Sequence, residues 1–162
     1  PGDGWINALT ATNGTIGLVA GGSNSNPLKN VNENNANYIA YCFQEKKGYS
    51  KFDSFIGTGN VQGTFCFTGF KVGFLMIKDT QNASGEWLMW DNKRSPHNEM
   101  KNGVAANDSL VQDTTKEMDF TAQGFKIRTT DTNYNSSGHK MIYMAFAESP
   151  FVTSTGVPAT AR

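Results

Sequence analysis

Phe70-Lys71-Val72-Gly73-Phe74-Leu75-Met76-Ile77 decides the fold class, because an extended chain here carries apolar groups on both faces. Val72, Phe74 and Met76 fall on one side and Leu75 and Ile77 on the other, the pattern of a central strand covered on both sides. Phe125-Lys126-Ile127-Arg128-Thr129 behaves differently. Phe125 and Ile127 share one face and Lys126 and Arg128 the other, as in a half-exposed outer-layer strand. Working outward from these two runs, alternation and turn residues place strands at 15–20, 38–45, 54–56, 64–68, 70–78, 86–91, 101–106, 124–130 and 140–147. Regular spacing of short strands implies an all-β fold, an antiparallel β-sandwich of jelly-roll or lectin-like type with little or no helix.

Composition supports that reading. Hydrophobic residues make up 38% and charged residues 17% of the 162, with Gly, Asn, Thr and Ser making up the difference. Nowhere do Glu, Lys and Ala gather into an amphipathic helical run, while β-branched and aromatic residues cluster in short bursts. The length suits one hydrophobic core. We expect residues 1–31 to enter from a longer chain and contribute a first strand, 32–149 to form the sandwich, and 150–162 to be an extended tail suited to packing on a neighbouring subunit. Long polar loops are expected at 21–37, 57–63, 79–85, 92–99, 107–116 and 131–139.

The stretch 32–45 aligns without a gap with 135–148, matching Asn32, Ile39, Phe43 and Glu45 to Asn135, Ile142, Phe146 and Glu148. Each reads as an Asn-rich loop followed by a strand with one bulky face (Ile142, Met144 and Phe146 in the second copy), and two such strands would suit neighbouring places in one sheet. Cys42 and Cys66 sit in apolar runs without metal or redox spacing, so both are expected as buried free thiols.

A formal net charge of zero leaves no long-range field to attract nucleic acid or an anionic membrane. No run approaches the roughly 20 apolar residues of a membrane-crossing helix, and Pro1–Thr10 lacks the basic head and apolar core of a secretion signal. Nucleic acid and membrane insertion are therefore not expected. Motifs of the common hydrolase, nucleotide-binding and zinc sites are absent, and no catalytic residue is assigned. His97 has no evident orienting carboxylate, and the acids Glu86, Asp91, Asp119 and Glu148 offer only an unsupported pair for a polysaccharide depolymerase. No metal ligands and no cofactor are assigned. The Asp- and Asn-bearing loops 79–82 and 107–113 have calcium's preferred oxygen donors but no fixed ligand spacing.

The richest constellation is Glu86-Trp87-Leu88-Met89-Trp90-Asp91-Asn92-Lys93-Arg94, followed by His97 and Asn98. Aromatic rings stack on the apolar face of sugars while Asp, Asn and Arg bond hydroxyls. Trp87, Trp90, Asp91, Arg94, His97 and Asn98, with the loop residues Tyr49 and Tyr134, are thus the candidate ligand-binding set. The competing reading places Trp87 and Trp90 on opposite faces of one strand, one of them in the core, with Asp91 and Arg94 merely tying the following loop.

Gly48-Tyr49-Ser50-Lys51-Phe52, Gly57-x-Gly59-Asn60 with Gly63 and Phe65, Thr68-Gly69-Phe70, Trp87 with Asp91 and Arg94, and Tyr143-Met144-Ala145-Phe146-Ala147-Glu148 with Pro150-Phe151 together resemble a domain family found near the C-terminus of large structural and tail-fibre proteins of tailed phages, especially marine ones. The resemblance covers about residues 32–152. It implies an all-β domain located in a virion, with other virion subunits as partners, and names no ligand; by analogy with fibre-associated proteins it favours a tail-fibre tip, which would be a homotrimer presenting loops such as 92–99 to a host surface glycan or protein. A capsid decoration knob without an external ligand is the alternative, and a depolymerase the third reading. The resemblance also suggests that Gly48, Gly57, Gly59 and Gly63 set turns needing positive φ. Asp53 stands where the family commonly has Gly, which would strain a left-handed turn at that point.

Overall fold

The computed structural model describes residues 9–12, 15–18, 37, 41–82, 84–109 and 111–149. The chain divides into two compact units, Pro1–Phe43 and Gln44–Arg162. In the first, β1 (Leu9–Thr12) and β2 (Thr15–Leu18) pair antiparallel from Leu9 opposite Leu18 to Thr12 opposite Thr15. The two residues between them in sequence are Asn13-Gly14, a pair favoured in two-residue hairpin loops.

The second unit is an antiparallel sandwich. Its strands are β3 (Ser50–Ile56), β4 (Phe65–Phe67), β5 (Val72–Asp79), β6 (Leu88–Asp91), β7 (Val104–Ala105), β8 (Met118–Thr121), β9 (Gly124–Ile127) and β10 (Lys140–Ala147), with one short helix, α1 (Thr132–Asn135), before β10. One sheet runs β3-β10-β5-β6-β7 and the other β4-β9-β8. Strand β5 is the middle strand of the larger sheet, flanked by β10 and β6, but it is covered on one face only along most of its length: Leu75 and Ile77 are buried, whereas Phe74 and Met76, expected to be covered as well, are half-buried on the outer face. In the smaller sheet Phe125 and Ile127 are buried, while Lys126 and Arg128 are only partly covered.

The core is where the inward faces meet. Phe55, Leu75, Ile77, Leu88, Trp90, Met141, Tyr143 and Ala145 come from the large sheet and Cys66, Met118, Phe120, Phe125 and Ile127 from the small one. Phe125 joins the layers, with ring centroids 6.1 Å from Phe55 and 5.0 Å from Tyr143. Burying a Leu, Ile or Phe side chain stabilises the fold by about 1.5–3 kcal/mol. The set accounts for the hydrophobic driving force of a chain with a modest apolar share.

Several expectations change here. Residues 41–45 are not in a strand, although 38–45 alternates; Tyr38–Ala40 lie outside the described residues. Both places beside β10 are taken, by β3 and β5, so the supposed duplicate of β10 has no seat next to it. Tyr41, Cys42 and Phe43 are exposed. Cys42 is thus not the buried thiol expected, whereas Cys66 is buried and unpaired. In β10 the bulky series Ile142, Met144 and Phe146 lies on the outer face, and Met141, Tyr143 and Ala145 face the core.

Strand β3 begins at Ser50, four residues before the expected start. It is the edge of its sheet, and Lys51, paired with Glu45 at 3.1 Å and Asp53 at 3.6 Å, puts charge where alternation would demand an apolar group. Charged residues on an edge discourage pairing with stray strands. Asp53 lies mid-strand opposite Tyr143, so the left-handed turn considered there does not exist. Gly48 and Gly59 do take positive φ, at 73° and 64°. Gly57 and Gly63 are required for another reason: a Cβ on Gly57 would collide with the Ser136 carbonyl oxygen, and one on Gly63 would lie 2.9 Å from the Ile127 Cβ. Strand β8 was not anticipated; it forms a hairpin with β9 in which Thr121 faces Gly124 across Ala122-Gln123. Strand 101–106 is shorter than expected, at Val104–Ala105, and of the strand expected at 15–20 the described residues form Thr15–Leu18, with 19 and 20 outside the described set. The tail 150–162 also lies outside the described residues.

Candidate functional site

Strand β6 delivers the tryptophan segment, and its two tryptophans part company. Trp90 is 1% exposed, its Nε1–H donates to the Lys116 carbonyl at 3.0 Å, and its ring centroid lies 5.0 Å from that of Tyr134. Tyr134 is fully buried, and burial pushes its phenol well above the ordinary tyrosine range. Neither ring can meet a ligand, so Trp90 and Tyr134 leave the candidate set as core residues. Trp87 is 39% exposed, with its backbone N–H held by Asn107 Oδ1 at 2.8 Å. Tyr49 is exposed at a turn and packs edge-on against Phe146 at 6.1 Å, far along the chain from Trp87.

Asp91 ends β6 and organises the loop after it. Its Oδ1 accepts the N–H groups of Lys93 at 3.0 Å and Arg94 at 2.7 Å, and its Oδ2 pairs with Arg94 Nε at 3.1 Å. Asn92 N–H donates to the Gly73 carbonyl at 3.1 Å. Further on, Asn102 Nδ2 donates to the Arg94 carbonyl at 3.0 Å, and Asn102 N–H to Ser95 Oγ at 3.3 Å. The Asn98 amide mimics a strand partner for β8, donating to the Phe120 carbonyl at 2.7 Å and accepting the Phe120 N–H at 2.9 Å. The loop 92–99 is therefore pinned at its start, middle and end by side chains, yet Lys93, Arg94, Pro96, His97, Asn98 and Glu99 remain exposed. Of the candidate set, Asp91, Arg94, His97 and Asn98 share this loop. Asp91 and Asn98 are its fasteners, and His97 is on its open surface.

Beyond β6, and missed by sequence reasoning, lies a cleft of about 310 Å³ lined by Glu86, Leu88, Gly103, Ala105, Val111, Gln112, Asp113, Lys116 and Asn133. Its lining comes from segments up to several dozen residues apart, so no local motif announces it. Lys116 is buried, with its ammonium 2.6 Å from Asp131 and 3.2 Å from Asp113. Burial works against that charge, but the two carboxylates prevail and hold the ammonium above the ordinary lysine range. Thr115 and Lys116 together hold the Asp113 carboxyl below the usual carboxylate range.

A second unanticipated pair is Asp79 with His139. Asp79 is fully buried, with its Oδ2 2.8 Å from His139 Nδ1 and its Oδ1 accepting the N–H groups of Gln81 at 2.8 Å and Asn82 at 3.2 Å. Burial raises this carboxyl, and the hydrogen bonds from Gln81, His139 and Asn82 outweigh it, so it titrates below the ordinary range. The pair clamps the loop after β5 to the start of β10. Three of the four acids weighed for hydrolysis are engaged elsewhere: Asp91 with Arg94, Asp119 with Arg128 at 3.4 Å, and Glu148 with Lys71 at 2.7 Å. Among the described residues, no group of three or more His, Cys, Asp or Glu side chains is placed to hold a metal, and no helix is long and apolar enough to cross a membrane.

A family model described as a domain of unknown function, DUF7483, matches residues 4–150. The chain belongs to the DUF7483 family. No curated protein and no solved structure matches it. In this DUF7483 domain the features that stand out are the pinned loop 92–99 and the Lys116 cleft behind it in the sequence.

Proposed function

We propose that this domain is a recognition module of a tailed-phage virion, the C-terminal host-binding part of a tail fibre or similar appendage, and that it presents loop 92–99 to a surface glycan or protein of the host. The observation that carries this reading is the contradiction in that loop between exposure and order. This exposed loop commits the carboxylate of Asp91 and the amides of Asn98 and Asn102 to backbone groups, including a two-way bond from Asn98 to β8 across 22 residues of sequence. Fixing a contact loop before binding removes an ordering cost of about 0.5–1.5 kcal/mol per immobilised side chain from the association. Lys93, Arg94 and His97 are exposed on the loop, but Arg94 is paired with Asp91 at 3.1 Å and Lys93 lies 3.6 Å from Glu148, so the surface offers polar side chains to a glycan or protein without a net positive charge. The virion location rests on the family resemblance of Gly48–Phe52, Gly57–Phe65 and Tyr143–Phe151, and the homotrimer follows from the tail-fibre reading itself.

A second reading, a virion building block that docks by a sheet face, is favoured by one feature. The outward row Met144, Met76, Met89 and Val104 crosses four strands in register, with Ile142 exposed beside it. Surface plasmon resonance on immobilised bacterial surface polysaccharide and on purified virion proteins separates the two. Recognition predicts saturable binding to the host material that His97→Ala and Lys93→Ala weaken. Binding only to virion proteins, indifferent to those substitutions, favours the building block.

A further inference from the structure

The cleft beside β6 and β7 has a composition that loop 92–99 does not explain. Leu88, Ala105 and Val111 provide apolar surface, and Glu86, Gln112, Asp113, Lys116 and Asn133 provide polar atoms around it. Its volume of about 310 Å³ lies at the small end of ligand sites, which run from about 300 to 1,000 Å³. Its walls are held in place before anything binds. Gly103 and Asp113 exchange backbone hydrogen bonds at 2.9 Å in both directions, and Asp113 Oδ1 is fixed by the Thr115 N–H at 2.8 Å and hydroxyl at 2.7 Å. A Cβ on Gly103 would come within 2.9 Å of the Lys116 Cβ and Cγ, so only glycine lets the lysine lie this close. Trp90 secures the Lys116 carbonyl from the core side.

Charge then selects the ligand. The Lys116 ammonium is matched by Asp131 and shared with Asp113, so it offers little to an anion. Glu86 is different: its side chain has no hydrogen bond or ion pair among the described residues, and it lines the same cleft. The surplus is therefore one of carboxylate. One unpaired carboxylate beside apolar and amide side chains is the counter-charge an organic ammonium needs, where a hard metal ion would need about six or more oxygen ligands.

We propose that this cleft binds a small hydroxyl-rich ligand bearing a protonated amine, of the size of one amino sugar, with Glu86 as the partner of the ammonium. Ala105 and Val111 take the apolar face of the ring, over a floor formed by the buried Leu88, and Gln112, Asn133 and Asp113 serve its hydroxyls, in keeping with the general mix of apolar lining and a few polar groups in such sites. None of the cleft's lining residues belongs to loop 92–99, so substitutions in one leave the other's side chains in place.

The test is a titration of the purified full chain with glucosamine, N-acetylglucosamine and glucuronate at about pH 6, where an aliphatic amine is protonated, followed by amide chemical shifts. Glucosamine should bind saturably and shift the amides of Leu88, Ala105 and Gln112, with N-acetylglucosamine weaker by about tenfold, the expected worth of one charge-assisted hydrogen bond. Glucuronate should not bind. Glu86→Gln should erase the preference for the amine while Gln112→Ala weakens all binding and keeps that preference. Absence of saturable binding to the wild-type chain, shifts confined to other surfaces, or an amine preference unchanged in Glu86→Gln would overturn the proposal.

Discussion

Replacing Trp90 tests whether the tryptophan segment is core or contact surface. The side chain is fully enclosed, packs on Tyr134 and satisfies the Lys116 carbonyl. Trp90→Ala removes the indole from a core that cannot collapse around the gap, at about 3–5 kcal/mol for a large aromatic, and orphans a buried carbonyl for about 1–3 kcal/mol more. Because the effects share one site they are not fully additive, and we expect about 4–6 kcal/mol in all. With a urea m-value of about 1.5 kcal/mol/M, typical of this size, the midpoint should fall by roughly 3–4 M, enough to leave the variant unfolded if its parent has ordinary stability. Trp90→Phe keeps most of the ring and loses chiefly the hydrogen bond, so its midpoint should fall by only about 1 M. The assay is equilibrium urea unfolding followed by circular dichroism. A Trp90→Ala midpoint within about 0.3 M of the parent, on a domain with an unchanged m-value, would refute the placement of this ring in the core.

Other buried polar groups give further outcomes. Asn135 is fully buried and joins three segments, accepting from Thr58 N–H at 2.9 Å and donating to the carbonyls of Asn60, at 3.0 Å, and Thr129. Asn135→Ala should therefore cost about 2–4 kcal/mol, read as a loss of thermal midpoint. Asp79 and Asp113 titrate below the carboxylate value of 3.8, so their contribution is fully present above that pH and is lost as pH falls through their folded-state values. Asp79→Asn should lower stability at neutral pH and flatten the acid limb of a stability–pH curve; an unaltered acid limb would contradict the Asp79–His139 clamp. A thiol reagent should modify Cys42 at once and Cys66 only on unfolding, because burial pushes the Cys66 thiol up to about 12. Equal rates for both in the native protein would show that the small sheet does not cover Cys66.

The fold was largely legible because its decisive strands carry their environment in their own pattern. Phe70–Ile77 needs no partner to read as central, and Phe125–Arg128 shows its two faces in four residues. The failures have physical causes. Alternation in 38–45 reports an ability to be extended, but not which strand it would pair with; residues 41–45 are unpaired in a ladder, and both places beside β10 are held by β3 and β5. Met118-Asp119-Phe120-Thr121 alternates too, but over so few residues that only its hairpin with β9 distinguishes it from a loop. At the site, the pattern predicted that Trp87 and Trp90 part to opposite faces and that Asp91 ties down Arg94. It could not reveal the Asp79–His139 pair or the Lys116–Asp131 pair, whose members lie 60 and 15 residues apart.

The most direct measurement is the binding of the fluorescently labelled domain to a panel of intact bacterial cells, comparing wild type with Lys93→Ala/His97→Ala. Both substitutions lie on the exposed side of the pinned loop, and the thermal midpoint should not move. Saturable binding competed by soluble surface polysaccharide and weakened by about tenfold or more in the variant is the predicted result, the worth of one charged contact. Equal binding by the folded variant would contradict recognition through loop 92–99, and no binding to any cell by a folded, assembled wild type would contradict the recognition role itself.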